Sequence, residues 1–220
     1  MQFSTEPENP QEFTDEFDRS YSRFAHLYNW AIKLFPMWRR WITHILPHVQ
    51  GPRLLEVSFG TGYLLNLYPG DVEIFALEYN QEMINIARRN LRQGVRRVAF
   101  QRGDVYHLPF PRNTFDTLVN TMAFSGYPHG LPAMLEMSRV LKDGGKLLMV
   151  DVGYPRDVNW AGIQMARMWM KLGDLLRDMD PIFRDGGFEH LDEEIGGWGS
   201  VHLYVATKVN DKSHDAQDRY

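Results

Sequence analysis

The chain has 220 residues, no cysteine and a formal net charge of -4. That length suits one domain, able to bury roughly 70% of the surface its unfolded form exposes. The missing thiols exclude disulfide frameworks, thiolate metal sites and cysteine nucleophiles, and the mild acidity gives no overall field for nucleic acid.

The opening MQFSTEPENP is polar and acidic, unlike a secretory signal, and no run of about 18 apolar residues marks a membrane span. A cytoplasmic location is therefore expected. Residues 1–12 and 210–220 lack periodicity and are expected to be frayed tails, leaving 13–208 as one domain. From Phe17, apolar residues recur at Tyr21, Phe24, Ala25 and Tyr28, a helical face. Pro36 closes the segment AIKLF, and a second helical pattern carries Trp38, Trp41, Ile42, Ile45 and Val49 on one side.

Leu54, Leu55 and Val57 read as a buried strand that delivers the chain to SFGTG. Gly60 and Gly62 matter in such a turn because a residue without Cβ reaches positive φ cheaply and lets backbone amides approach a ligand. Glu56 stands just before it, placed to meet a cation such as an amino-acid ammonium. An ordinary strand-to-helix loop explains the glycines alone equally well. A second apolar run, Ile74 to Leu77, ends in Glu78, twenty positions past Ser58 and near the spacing at which an acid reaches ribose hydroxyls. A carboxylate offers two acceptors to a vicinal diol's two donors.

Asn80 is placed to cap a helix striped by Met83, Ile86, Ala87 and Leu91, with Arg88, Arg89 and Arg92 toward its end. A third run, Val98 to Phe100, leads into GDVYHLPF and puts Asp104 at a third strand tip, within reach of an adenine amine. A fourth strand covers about Thr117 to Met122. Pro132 opens a helix that Gly144 and Gly145 stop, and KLLMVDV, 146–152, is a fifth strand. A long helical segment follows; GGFEH starts a sixth strand and HLYVATK, 202–208, is a seventh. The alternation predicts an α/β domain on a mostly parallel sheet. A pyrophosphate cradle would need a third glycine where Leu65 or Tyr63 stands, and no lysine follows the turn to make a P-loop. The ligand is thus expected to carry a nucleoside without a phosphate chain.

With LLEVSFGTG, IFALEYNQEMINIARRN, GDVYHLPFPRNTFD and MLEMSRVLKDGGKLLMVDV in place, residues 52–153, and less clearly those up to 208, resemble the class I methyltransferases dependent on S-adenosylmethionine (SAM), of the ubiquinone and menaquinone C-methyltransferase type. The resemblance implies a seven-stranded Rossmann-like sheet with helices on both faces, an N-terminal helical extension (13–50) and a helical insert (154–182) after the fifth strand. It implies SAM as methyl donor and S-adenosylhomocysteine as product. The donor would be held by Glu56, Ser58, Gly60, Thr61 and Gly62, by Glu78, Tyr79 and Met83, by Asp104 and Val105, and by Asn120 and Thr121 near the ammonium; a capping role is the alternative for Asn120. The chain departs from the family where Ser58 replaces the turn's usual first glycine and Phe59 the small residue after it. Ser58 fits if its φ is negative, and Phe59 would then close over the ligand.

Methyl transfer from a sulfonium asks for placement more than for acid or base groups. His129 and Tyr127, in SGYPHG beyond the fourth strand, are the candidate catalytic side chains, although a lone loop histidine is more often solvated or structural. Tyr21 and Tyr28, with Trp160, Met165 and Trp169 of the insert, are candidates to touch the acceptor; packing against the sheet is the equal alternative. The reading is methyl transfer to a small, partly apolar acceptor: a quinone precursor, a phenolic or amine metabolite, or a lipid. Trp30, Trp38 and Trp41 beside Lys33, Arg39 and Arg40 leave open a phospholipid N-methyltransferase touching the membrane surface. A SAM-binding protein without catalysis is a further alternative. Neither a metal centre nor a nucleic-acid groove is read, and the oligomeric state is open.

Overall fold

A computed structural model describes residues 2–16, 19, 36–91 and 97–209. Tyr21, Tyr28 and Trp30, and the tail 210–220, lie outside these. Residues 10–16 are helical. Helix α1 is described over Pro36–Thr43 and buries Trp41 and Ile42.

The sheet is built from β1 (Arg53–Val57), β2 (Glu73–Glu78), β3 (Val98–Arg102), β4 (Phe115–Thr121), β5 (Leu141–Val152), β6 (Phe188–Gly196) and β7 (Val201–Lys208) in the order β3-β2-β1-β4-β5-β7-β6. Strands β1 to β5 pair in parallel, and β7 runs antiparallel to both β5 and β6. Between them lie α2 (Gln81–Asn90), α3 (Gly130–Val140), α4 (Trp160–Lys171) and α5 (Met179–Asp185). Asn80 caps α2 as expected, its Oδ1 accepting from the Met83 N–H at 3.0 Å.

Strand alternation divides the core between two faces. Leu55, Leu118, Leu147 and Met149 pack with Met134 and Met137 of α3 and Phe183 of α5. Leu54, Val119, Leu148 and Val150 pack with Trp41 and Ile42 of α1 and Ile84 and Ala87 of α2. Each fully buried Leu, Val, Ile, Met or Phe among them contributes about 1.5–3 kcal/mol of burial. From β1 the chain builds outward to β3 and then crosses back to lay β4 on the other flank of β1. That reversal opens a crevice at the carboxyl ends of β1 and β4, where open α/β sheets take ligands.

Two expectations change here. The first residues are docked rather than frayed: the Ser4 N–H donates to the Leu176 carbonyl at 2.8 Å, the Leu176 N–H to Ser4 Oγ at 3.0 Å, and Phe3 meets Tyr154 edge-on. The helical insert is two helices, and α4 lies on the β6–β7 connection because Gly162 lets it approach Pro155 and the Trp198 carbonyl.

Candidate functional site

The turn after β1 has a left-handed start. Ser58 has φ +53, so it does not meet the condition of a negative φ, and this conformation costs a residue with Cβ roughly 1–2 kcal/mol. Two bonds hold it there: its N–H donates to the Leu77 carbonyl at 2.8 Å, and its Oγ lies 2.7 Å from the Tyr127 hydroxyl. Phe59 turns down into the core against Phe100, although its edge reaches the crevice. Gly60 and Gly62 follow with φ +55 and +73. A Cβ on Gly62 would stand 2.8 Å from the Ala87 Cβ, so this glycine also lets α2 pack against the turn.

A cavity of about 180 Å³ fills the crevice. It is lined by Glu56, Ser58, Gly60 and Thr61 from β1 and its turn, Glu78, Tyr79 and Met83 from the tip of β2 and α2, and Asp104 and Val105 past β3. Its lining is completed by Thr121 at the end of β4, Met122, Tyr127 and Pro128 past it, Trp38 and Ile42 of α1, Thr14, and Asp174 after α4. The carboxylates expected at three strand tips are therefore brought around one space.

Each acid has a different setting. Glu56 is only 2% exposed, and the Tyr68 hydroxyl donates to its Oε2 at 2.8 Å. Burial pushes its pKa from 4.5 up to about 8, with Glu78 adding to the rise and the Tyr68 bond opposing it. Glu78 is held by backbone donors: Gly60 N–H to Oε2 and Asn80 N–H to Oε1, both at 3.0 Å. Asp104 Oδ1 accepts from the Tyr106 N–H at 3.0 Å, and its side chain is 43% exposed.

Beneath the turn, Asn120 is fully buried and does not reach the cavity. As a residue within β4 it is no cap; its Nδ2 donates to the Tyr127 hydroxyl at 2.8 Å. Tyr127 thus ties β4 to Ser58, and burial raises its pKa well above the ordinary phenol value. His129 turns away from the cavity: its Nδ1 lies 2.9 Å from Glu6 Oε2 and its N–H donates to the Tyr106 hydroxyl. Trp160 is 77% exposed, Met165 sits beside Gly197, and Trp169 packs on Trp38 rather than on the cavity. These corrections to the expected acceptor contacts follow from α4 lying on the β6–β7 connection.

Asp174 and Thr14 reach the cavity with no motif to announce them. The one signal for Asp174 was an acid breaking an otherwise apolar stretch, LGDLL, just past a glycine.

Residues 55–149 match the family described as methyltransferase domain. The chain is 33% identical over 142 residues to a phosphatidylethanolamine N-methyltransferase of Cereibacter sphaeroides, an alignment covering 62% of this chain and 68% of that one. The chain belongs to the class I SAM-dependent methyltransferases.

This methyltransferase is also 24% identical over 161 residues to a demethylmenaquinone methyltransferase of Listeria welshimeri, covering 71% of this chain and 67% of that one, and its sequence is of the ubiquinone and menaquinone C-methyltransferase type. Its fold matches that of the YcgJ protein of Bacillus subtilis with a TM-score of 0.65 at 18% identity, over 78% of this chain and 99% of that one. SAM is the methyltransferase's cofactor.

Proposed function

We propose that the enzyme moves the methyl group to a small, partly apolar acceptor. The supporting observation is one cavity whose lining joins the strand-tip carboxylates Glu56, Glu78 and Asp104 to the apolar Trp38, Ile42, Met122 and Pro128. The strand-tip acids and the glycine turn fit a nucleoside sulfonium. Glu56 is a buried carboxyl with one protein partner among the described residues, so a cationic amino-acid end suits it. Glu78, fixed by two backbone N–H groups, suits a vicinal diol, and Asp104 an exocyclic amine. Gly60, Thr61, Tyr79, Met83 and Val105 line the cavity with Ser58 and Thr121, while Gly62 stays off it and lets α2 close on the turn. Asn120 acts from below, through Tyr127.

When bound, SAM supplies a methyl group already activated for displacement. The chain's residues place the acceptor in line and exclude water, and well-oriented placement is worth up to about 7–11 kcal/mol. Tyr127, whose proton is held tightly, orients rather than accepts a proton. His129 has no part in this reading. Incubation with methyl-labelled SAM and a panel of quinol, phenol, amine and phospholipid acceptors tests it. Label on one class supports the proposal, and label on none from enzyme that binds SAM contradicts it.

A phospholipid amine as acceptor is a second reading, supported by the similarity to the phosphatidylethanolamine enzyme. Among the described residues no helix is long and apolar enough to cross a membrane. Trp38 and Trp41 are taken up by the cavity and the core, leaving Trp160 and Trp198 as the exposed tryptophans among the described residues for lipid contact. Sedimentation with anionic vesicles tests this contact, and protein that stays in the supernatant argues against it.

A further inference from the structure

Beyond the three strand-tip acids, Asp174 is the one carboxylate among the described residues that line the cavity. Its Oδ1 is 2.8 Å from Ser125 Oγ, which also lies 2.7 Å from Oδ1 of the buried Asp151. A serine hydroxyl has a single proton, so it cannot serve two ionised carboxylates at once. Asp151 is the better-satisfied partner: it also accepts from the backbone N–H groups of Ser125 and Val152. Asp174 has only the Ser125 contact, and its Oδ2 has no hydrogen-bond or ion-pair partner among the described residues.

The nearby cation does not relieve it. The Arg177 guanidinium is spent on the carbonyls of Phe124, Leu175, Tyr127 and Pro128. A carboxylate set among apolar walls, beside a second acid and without a cation, favours a positively charged guest.

We propose that Asp174 makes the acceptor an amine: its carboxylate holds the incoming ammonium group and takes one of its protons. This rests on the reading of the cavity as an acceptor site. The N–H bond breaks with the proton passing to Asp174, and the lone pair left on nitrogen forms the N–C bond as the methyl–sulfur bond breaks. The positive charge of the sulfonium ends on the methylated nitrogen, and the proton on Asp174 is released to solvent after the product leaves. Burial and Asp151 hold the Asp174 pKa up at about 6, against the pull of the Ser125 bond, so the group is charged at neutral pH yet can be protonated.

Label transfer from methyl-labelled SAM to 2-phenylethylamine, to the matched alcohol 2-phenylethanol and to a hydroquinone tests this, in wild type and in Asp174→Asn and Asp174→Glu. Calorimetry with S-adenosylhomocysteine and a thermal melt accompany each variant. The expected result is label on the amine, a fall of about 100-fold in kcat/KM for Asp174→Asn with cofactor binding unchanged, and partial recovery in Asp174→Glu. Should Asp174→Asn melt early, the alcohol and hydroquinone comparison in the wild type still decides. Label on the hydroquinone or alcohol but not the amine, or amine transfer untouched by Asp174→Asn, overturns the role of Asp174 and leaves the small-acceptor reading standing. Label on none of them nor on any acceptor of the wider panel, with cofactor bound, overturns both.

Discussion

Replacing Glu56 by glutamine should shift stability and cofactor affinity in opposite directions. The carboxyl has its folded pKa raised to about 8 from 4.5 by burial, so the native state keeps a proton that the unfolded chain releases. With the unfolded state binding fewer protons, stability from this group is complete below pH 4.5 and is lost as pH rises toward about 8. The slope is about 1.4 kcal/mol per pH unit, up to about 5 kcal/mol across the window. Glutamine keeps the shape and cannot ionise, so that part of the slope should vanish. At pH 7 a cationic ligand that draws Glu56 into its charged form must overcome about 1.4 kcal/mol, and then gains an ion pair that glutamine cannot supply. Urea unfolding at intervals from about pH 5 to about pH 9, with S-adenosylhomocysteine titrations on the same samples, measures both. The variant should be the more stable protein at alkaline pH and the weaker binder. Parallel stability profiles for the two proteins would refute the reasoning about Glu56.

Three other outcomes are expected. Glu78→Ala removes the acceptor for the Gly60 and Asn80 N–H groups and should weaken SAM binding by about 1–3 kcal/mol in calorimetry; unchanged affinity would mean the acid is misassigned. Gly62→Ala sets a Cβ against Ala87 at a φ of +73 and should lower the unfolding free energy by about 1–3 kcal/mol in denaturant, against a null effect if the turn can shift away from α2. Tyr127→Phe frees Ser58 Oγ and leaves the Asn120 amide short of a partner, costing about 1–3 kcal/mol of stability; a loss confined to kcat with stability intact would give Tyr127 a direct part in the chemistry.

What was legible in the sequence was what local rules govern. Leu54 to Gly62, Glu78, Asn80 and Asp104 could be read because strand runs, a glycine turn and a helix cap depend on neighbours along the chain. Ser58 could not, because its left-handed backbone is held by Leu77 from the adjacent strand and Tyr127 from beyond β4. His129 stood near the right strand end, but Glu6, 123 positions away, turns its ring elsewhere. Helix α4 carries apolar residues well beyond one narrow stripe, so periodicity did not say what it packs on, and the lack of a Cβ at Gly162 decided its seat on the β6–β7 connection. Asp174 had no motif; its meaning lies in the Ser125 side chain, from the helical turn past β4, and the Asp151 side chain of β5.

Calorimetric titration of SAM and of S-adenosylhomocysteine into the folded wild-type protein tests the convergence of the three strand-tip acids most directly. The account predicts saturable uptake of both, weakened by Glu56→Gln and by Glu78→Ala. Heat-silent titrations of both ligands, with a ligand-independent melting temperature, would contradict it.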